Sequence, residues 1–365
     1  MVRTPASHVG NAGSTPAGVI HHQTGLIEAL FRPFFNLSFS AWRRIRRKYA
    51  DAPIPRFVDL RFITAGLMLS GLQRLQNSLF RDALNEVEIR RPIFILGHWR
   101  SGTTLLHELM ALDGQLLSPT TFQCFNPQRF LLSGNPRHAE AERPTGDVVV
   151  TASSPQKEEF AFLCAGAVSP YEAFLFPEAL RDVDKLCDPD VFDPADAKLW
   201  EVVVMGFLRA VLHAGGKDKR LLLKSPSNSM RVPRLRQLFP DAVFINLTRE
   251  PQAVCASTVR MWETMWNRYA IGHPLNRPAI EEQVSSIHER LQTKLQKSAR
   301  DMPTNRFATI TYEELVADPA NTIAKLYKML ELGDCAKLSP RYAEYIARAE
   351  ARRERLKTAH DSLMT

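Results

Sequence analysis

The stretch Gly97-His98-Trp99-Arg100-Ser101-Gly102-Thr103-Thr104 ends a short apolar run, Pro92 to Leu96, and opens an amphipathic one. Two glycines that bracket four residues before a helix let successive backbone N–H groups and the helix N-terminus converge on a phosphate-like anion. Thr103 stands where a nucleotide triphosphatase loop carries the lysine that reaches the β and γ phosphates. The cation is instead Arg100, inside the loop. A guanidinium there suits an oxyanion with planar, forked hydrogen bonding and acts without a metal ion. The same frame also serves as a plain link between a strand and a helix, so supporting residues must come from elsewhere.

They come from Phe244 to Trp266, FINLTREPQAVCASTVRMWETMW. A buried strand ends near Thr248, Arg249 follows at its carboxyl end, Pro251 opens a helix and Ser257 lies two turns on. Ligands of open α/β sheets gather at strand carboxyl ends, which puts Arg249 on the rim of the first loop. Two anion sites on one rim point to a nucleotide with phosphates at both ends. An arginine capping a strand beside a solvated serine is the competing reading. Lys224, at the end of RLLLK, reaches the same rim or points to solvent.

The elements that position these residues follow from pattern. PIFILG, RLLLK and AVFINLT read as short apolar strands of a parallel sheet covered on both faces. TTLLHELMAL, KEEFAFLCAGA, Pro194 to Ala214, Ser229 to Phe239 and ANTIAKLYKMLEL read as helices, and FATIT as one more strand. Asn126 to Ser154 reads as a long connection. The order of strands and helices predicts a mostly parallel α/β sheet at 91–335. Before it, a flexible tail is expected at 1–20 and a helical extension at 21–90; after it, a basic helical tail at 336–365. In the extension, Leu26, Ile27, Leu30, Phe31, Phe34 and Leu37 take helical spacing, Pro33 divides the segment, and Arg43, Arg44, Arg46, Arg47 and Lys48 follow. That pattern fits a packed helix with a solvated basic end, or a helix lying on an anionic membrane surface. The helical stretch Phe57 to Ala83 contains FITAGLMLSGL, too short to span a bilayer and expected as a core helix.

Composition sets the outer limits. With 365 residues, 45% hydrophobic and 24% charged, the chain holds a substantial core and is not disordered as a whole. A net charge of +8 and a pI near 9.3 favour acidic partners without choosing among nucleotides, acidic sugars, anionic lipid and nucleic acid. Five dispersed cysteines with no C-x-x-C pair encode neither a zinc site nor a disulfide framework, and fit a reducing, cytoplasmic compartment.

Taken together, GHWRSGTT and INLTREPQAVCAS resemble the two cofactor motifs of sulfotransferases that use 3′-phosphoadenosine 5′-phosphosulfate (PAPS). SPTTFQCFNP, SPQKEEFAFL, LLLKSP and ITYEELVADP also resemble the branch with bacterial and carbohydrate-type enzymes, and the likeness runs from Pro92 to Leu332. It implies a P-loop-type, three-layer α/β/α fold and the product PAP, with no metal. It also implies that Arg100, Ser101, Gly102, Thr103 and Thr104 hold the 5′-phosphosulfate and that Arg249 and Ser257 hold the 3′-phosphate; Lys224, if its strand end faces the rim and not solvent, is placed to touch the bridging or sulfuryl oxygens. The acceptor is expected to be a small molecule, lipid or carbohydrate, with no nucleic-acid partner. Two departures stand out: many relatives have a histidine soon after the K-S-P turn, where this chain has Ser227 and Asn228, and their cofactor-covering tail is matched at most by a truncated RLKTAHDSL with Lys357 and His360.

Transfer of a sulfuryl group needs a base for the acceptor proton and fixed donors for the leaving phosphate. Arg100 serves the second need. For the first, the Glu158–Glu159 pair opens an otherwise apolar helix where burial raises a carboxylate pKa, although glutamates in a first turn also serve the helix dipole. His98 is the other base candidate; His107 reads as packed or exposed. Trp262 and Trp266 share a helix face and line either the core or an acceptor pocket. The competing functions are a P-loop kinase or triphosphatase and a non-catalytic nucleotide- or lipid-binding protein.

Overall fold

A computed structural model describes residues 36–134, 140–142 and 149–335, with some positions between 340 and 347. The expected tail at 1–20, the apolar positions from Leu26 to Phe34 with the break at Pro33, and Lys357 and His360 lie outside the described residues.

Five parallel strands form the central sheet: β1 (Ile93–Leu96), β2 (Leu116–Leu117), β5 (Arg220–Lys224), β6 (Val243–Thr248) and β7 (Phe307–Thr311), in the order β2-β5-β1-β6-β7. Two short strands, β3 (Glu140–Glu142) and β4 (Val149–Thr151), pair antiparallel on their own. In β1, Ile93 and Ile95 face one apolar cluster while Phe94 and Leu96 face the other, the two-residue alternation of a strand covered on both sides. The smaller cluster lies under α3 (Thr103–Met110), α13 (Tyr312–Ala317) and α14 (Pro319–Met329). The larger is built from the helices on the opposite face, so the molecule has the expected three layers. Full burial of each such side chain contributes roughly 1.5–3 kcal/mol.

Because all five strands are parallel, their carboxyl ends share one rim. The connection leaves β1 for the β2 side and returns past it to β6, so β1 stands at the switch point where open sheets bind ligands.

The helix boundaries follow local chemistry. Helix α9 (Pro194–Gly215) starts with proline after the Asp193 cap and stops at Gly216, with φ 126°. The expected helix from Ser229 to Phe239 is a 3-10 turn, Pro226–Met230, followed by α10 (Val232–Leu238), because Pro233 cannot supply the amide that a continuous helix needs. The long connection contains two helices, α4 (Thr121–Phe125) and α5 (Phe130–Ser133), besides the β3–β4 pair. Helix α6 (Glu159–Ala165) ends at Gly166, and α7 (Glu172–Leu175) and α8 (Val183–Cys187) are short. Helix α11 (Pro251–Tyr269) leads into α12 (Arg277–Arg300), which has no counterpart in the sequence reading.

Helices α1 (Phe39–Lys48) and α2 (Arg56–Asn85) precede the sheet. Trp42 stacks on Phe62 at 4.0 Å and its indole donates to Asp59 at 2.7 Å. Arg44 donates to Glu172 at 2.7 Å and to the carbonyls of Gly166 and Ala167, and Lys48 reaches Glu172 at 3.3 Å. Part of the basic run is therefore spent on fastening α1 to the core. FITAGLMLSGL is not a fully covered core helix: Phe62, Gly66 and Leu69 are buried, whereas Leu67 and Met68 are exposed. Among the described residues no helix is long and apolar enough to cross a membrane.

Gly66 lets α1 approach closely, since a Cβ there would lie 2.9 Å from the Phe39 nitrogen. Gly66→Leu is therefore expected to lower stability by about 1–3 kcal/mol in urea unfolding. Gly71→Ala, at an open exposed helical position, is expected to raise it by about 0.5–1 kcal/mol.

Candidate active site at the carboxyl rim

The loop after β1 has the backbone of an anion cradle. Gly97 has φ 141° and Gly102 φ 99°, and between them Arg100 takes φ 67°, a left-handed conformation costing about 1–2 kcal/mol for a residue with a side chain. A Cβ on Gly97 would come within 2.7 Å of both the Leu247 carbonyl and the Ser101 hydroxyl; one on Gly102 would meet the Tyr312 ring at 2.3 Å. The loop is closed from within: Ser101 Oγ donates to the His98 carbonyl at 2.8 Å, and the Gly97 amide donates to Ser229 Oγ at 2.9 Å. Among the described residues no partner takes up the amides of Gly102, Thr103 and Thr104, which open α3. Three successive N–H groups at a helix start form an anion site by their own dipoles.

The second expected clamp lies against the first. Arg100 Nε donates to Ser257 Oγ at 3.0 Å, and Arg249 Nη1 reaches the Arg100 carbonyl at 3.5 Å. The Arg249 guanidinium lies 4.3 Å from the centre of the Tyr312 ring, a stacking that holds the planar group in place. Thr258 Oγ1 donates to the Trp99 carbonyl at 3.0 Å, which ties α11 to the loop. Arg100, Arg249 and Ser257 thus occupy one corner of the rim.

Beside this corner, Lys224 is almost fully buried and its Nζ donates to Thr104 Oγ1 at 3.2 Å. The strand end therefore points into the protein and not to solvent. The Lys224 amide donates to Glu158 Oε2 at 3.1 Å, and Asn228 Nδ2 donates to Glu158 Oε1 at 2.5 Å. Burial pushes the Glu158 carboxyl above its ordinary pKa, with Glu159 adding to the rise and the two donors opposing it.

Glu159 has a different environment although it is the next residue. Arg231 grips it bidentately, Nη1 to Oε2 at 2.5 Å and Nη2 to Oε1 at 3.1 Å, and Ser227 Oγ donates to Oε2 at 2.5 Å. Both partners are fully buried. Arg231 also donates through Nε to the Cys187 carbonyl at 2.7 Å and lies 5.1 Å from the Trp200 ring centre. Such a pair is a poor source of net stability while intact but very costly to break.

His98 Nδ1 lies 2.9 Å from the Trp99 carbonyl, so that nitrogen carries the proton and Nε2 presents its lone pair. Nε2 is buried without a hydrogen-bond partner. Burial lowers the His98 pKa to about 4, with a further lowering from the nearby His288.

Three side chains for which a packed reading was open are packed. Trp262 and Trp266 belong to the large apolar cluster, with Trp262 packed on Phe174 and Trp266 Nε1 donating to the Ala173 carbonyl. His107 is packed beneath α3 with Nε2 2.9 Å from Ser118 Oγ. Conversely, Ser229, Arg231 and Tyr312 shape the site without having been singled out in the sequence, and Ser227 and Asn228, noted there only for standing where relatives have a histidine, hold the two glutamates. The signal for Arg231 was an arginine next to a buried turn, a position that demands a carboxylate; for Tyr312, its place immediately after β7.

A parallel sheet with an arginine-bearing glycine loop after its first strand, a second arginine at a neighbouring strand end and no loop lysine offers amides and guanidinium groups to an anion. The chain belongs to the sulfotransferase family, whose model matches residues 92–334. It is 30% identical over 318 residues to omega-hydroxy-beta-dihydromenaquinone-9 sulfotransferase Stf3 of Mycobacterium bovis, an alignment covering 85% of this chain and 81% of that protein. Among solved structures, sulfotransferase STF1 from Mycobacterium tuberculosis H37Rv superposes with a TM-score of 0.62 at 17% identity, covering 88% of this chain and 93% of that one. STF9 from Mycobacterium avium gives 0.63 at 20% identity, covering 84% and 82%.

Arg231→Met is expected to cost about 3–5 kcal/mol in denaturant unfolding by stranding Glu159, and the double variant with Glu159→Gln to recover part of that loss. For His98, the folded pKa of about 4 lies below an unfolded value near 6.5. As pH falls from about 6.5 to about 4, the unfolded chain gains a proton that the folded one refuses, and stability is lost. His98→Gln should flatten that part of a melting-temperature profile.

Proposed function

We propose that the protein transfers the sulfuryl group of PAPS to a hydroxyl of a lipid-like small molecule, with Glu158 as the base. The observation that carries this reading is the convergence at one rim of the unclaimed Gly102–Thr104 amides, the Arg100 and Arg249 guanidinium groups, and a buried carboxyl attached to the strand end that presents Lys224. The cradle fits the donor: its glycines leave no room for a Cβ, and its charges are cationic without a carboxylate inside the loop.

In this assignment Arg100, Ser101, Gly102, Thr103 and Thr104 hold the 5′-phosphosulfate, Arg249 and Ser257 hold the 3′-phosphate, and Lys224 faces the transferred group. The donor supplies an activated sulfuryl group. Glu158 accepts the proton of the acceptor hydroxyl as its oxygen attacks sulfur; the new O–S bond forms while the S–O bond to the 5′-phosphate breaks. Arg100, Lys224 and the loop amides meet the charge left on that phosphate, which becomes PAP. A raised carboxyl pKa makes Glu158 a stronger base than an exposed glutamate. Glu159, held by Arg231 on both oxygens, acts as a positioning residue. His98 is the second reading for the base, favoured by its unpartnered Nε2.

The hydroxylated quinone lipid in the name of the Mycobacterium bovis relative supports a lipid-like acceptor over a carbohydrate. All five cysteines are free, which supports a reducing, cytoplasmic setting. Family membership sets aside the kinase and binding-module readings.

PAP without metal is expected to raise the melting temperature, by about 2.7 kcal/mol of added stability at a hundredfold excess over Kd, with ATP and Mg²⁺ giving little. With labelled PAPS and an omega-hydroxylated quinone lipid, Glu158→Gln should keep the PAP shift and lose roughly 10²–10⁴-fold in turnover. If Glu158→Gln stays active and His98→Gln does not, the base is His98.

A further inference from the structure

Helix α2 carries an apolar stripe on its outer side. Phe57 is 74% exposed, Leu60 61%, Leu67 54%, Met68 63%, Leu75 49% and Leu79 65%. At 100° per residue these six fall within about a third of the helix circumference and run roughly 33 Å along it. On the same side Thr64, Gly71 and Ser78 carry no charge, while Arg61 lies at the edge of the arc in line with Leu79, and Asp82 follows one turn beyond Leu79. A monomer in water rarely leaves such a continuous stripe uncovered.

The stripe has a cationic border. Arg56, Arg74 and Arg81 are exposed along its edge on α2, and Arg74 also lines a cavity of about 1030 Å³ formed with α1, α8 and the start of α9. Six cations and two carboxylates line that cavity. Arg44 and Lys48 are committed to Glu172 and Lys185 to Asp182, whereas Arg43, Arg47 and Arg74 have no partner among the described residues. None of the anion-loop residues contributes to it. Phe39, Val168, Leu186 and Phe192 add apolar surface to its lining.

We propose that this face docks on the surface of an anionic phospholipid bilayer, with the α2 stripe entering the boundary of the acyl chains and Arg43, Arg47 and Arg74 taking a lipid phosphate in the adjoining cavity. Apolar side chains beside unpaired guanidinium groups match the layered chemistry of that surface, acyl chains below phosphates. A second copy of the chain is disfavoured by symmetry. An isologous antiparallel dimer through the stripe would bring the border of Arg56, Arg74 and Arg81 against itself, with Asp82 to offset three arginines. The docking concerns the two N-terminal helices and does not depend on which hydroxyl accepts the sulfuryl group.

The test is co-sedimentation of the full chain with vesicles of phosphatidylcholine alone and of phosphatidylcholine mixed with phosphatidylglycerol. Binding to the mixed vesicles is expected to exceed binding to the neutral ones by at least tenfold and to weaken with salt. Reversal of Arg43, Arg47 and Arg74 to Glu should reduce it roughly a hundredfold. Leu67→Asp with Met68→Asp should also abolish it, and both variants should keep the wild-type response to PAP, which reports an intact fold. The proposal is overturned if mixed vesicles are not bound, or if either variant binds them as wild type does. A dimer that dissociates in the Leu67→Asp, Met68→Asp variant would reassign the face to self-association. Competition by millimolar inorganic phosphate, beyond that of chloride at equal ionic strength, would reassign the cavity to a free anion.

Discussion

Two neighbouring carboxylates cannot be carried into an apolar interior unless each is given its own donors, and the Glu158–Glu159 pair organises the centre of this protein around that requirement. Both residues are buried at the start of α6. Arg231 and Ser227 answer Glu159; Asn228 and the Lys224 amide answer Glu158. All four donors come from β5 and the turn that follows it, Lys224 to Arg231, so satisfying the pair pins that turn beneath the sheet rim. The same turn supplies Ser229, which accepts from the Gly97 amide and fixes the start of the anion loop. One electrostatic demand therefore sets the relative positions of the proposed base, the strand-end lysine and the cradle.

The two glutamates also illustrate how adjacent identical residues acquire different chemistry. A fully buried guanidinium grips both carboxylate oxygens of Glu159, which leaves neither of them open to an acceptor. Glu158 meets only neutral donors and is raised by burial. The surroundings thus tie one carboxylate to the structure and leave the other as the proposed base.

Much of the sheet and its rim was legible in the chain itself. PIFILG, RLLLK and AVFINLT are short apolar runs that are buried on both faces, and the glycine frame after the first of them announces its loop. The segments that escaped are those whose shape is imposed from outside. SPSNSM, after Lys224, carries neither period nor charge, and its 3-10 turn follows from the carboxylates above it, which lie about 70 positions away in sequence. In α12, Ile280, Val284, Ile287, Leu291 and Leu295 do keep a helical period, but many charged residues between them mask it. The exposed stripe on α2 misled in the opposite sense: apolar composition says that a surface is covered without saying by what.

Arg249 leans on the carbonyl of Arg100, a residue already held in a left-handed backbone, while the Arg100 side chain reaches back to Ser257. The residues proposed to recognise opposite ends of the nucleotide thus share one peptide unit. A fragment bearing a single phosphate would have to reset that shared hinge without help from its missing half. Affinities measured for the separate halves of the ligand would then fail to sum to that of the whole, and the shortfall would gauge how stiffly the peptide joins them.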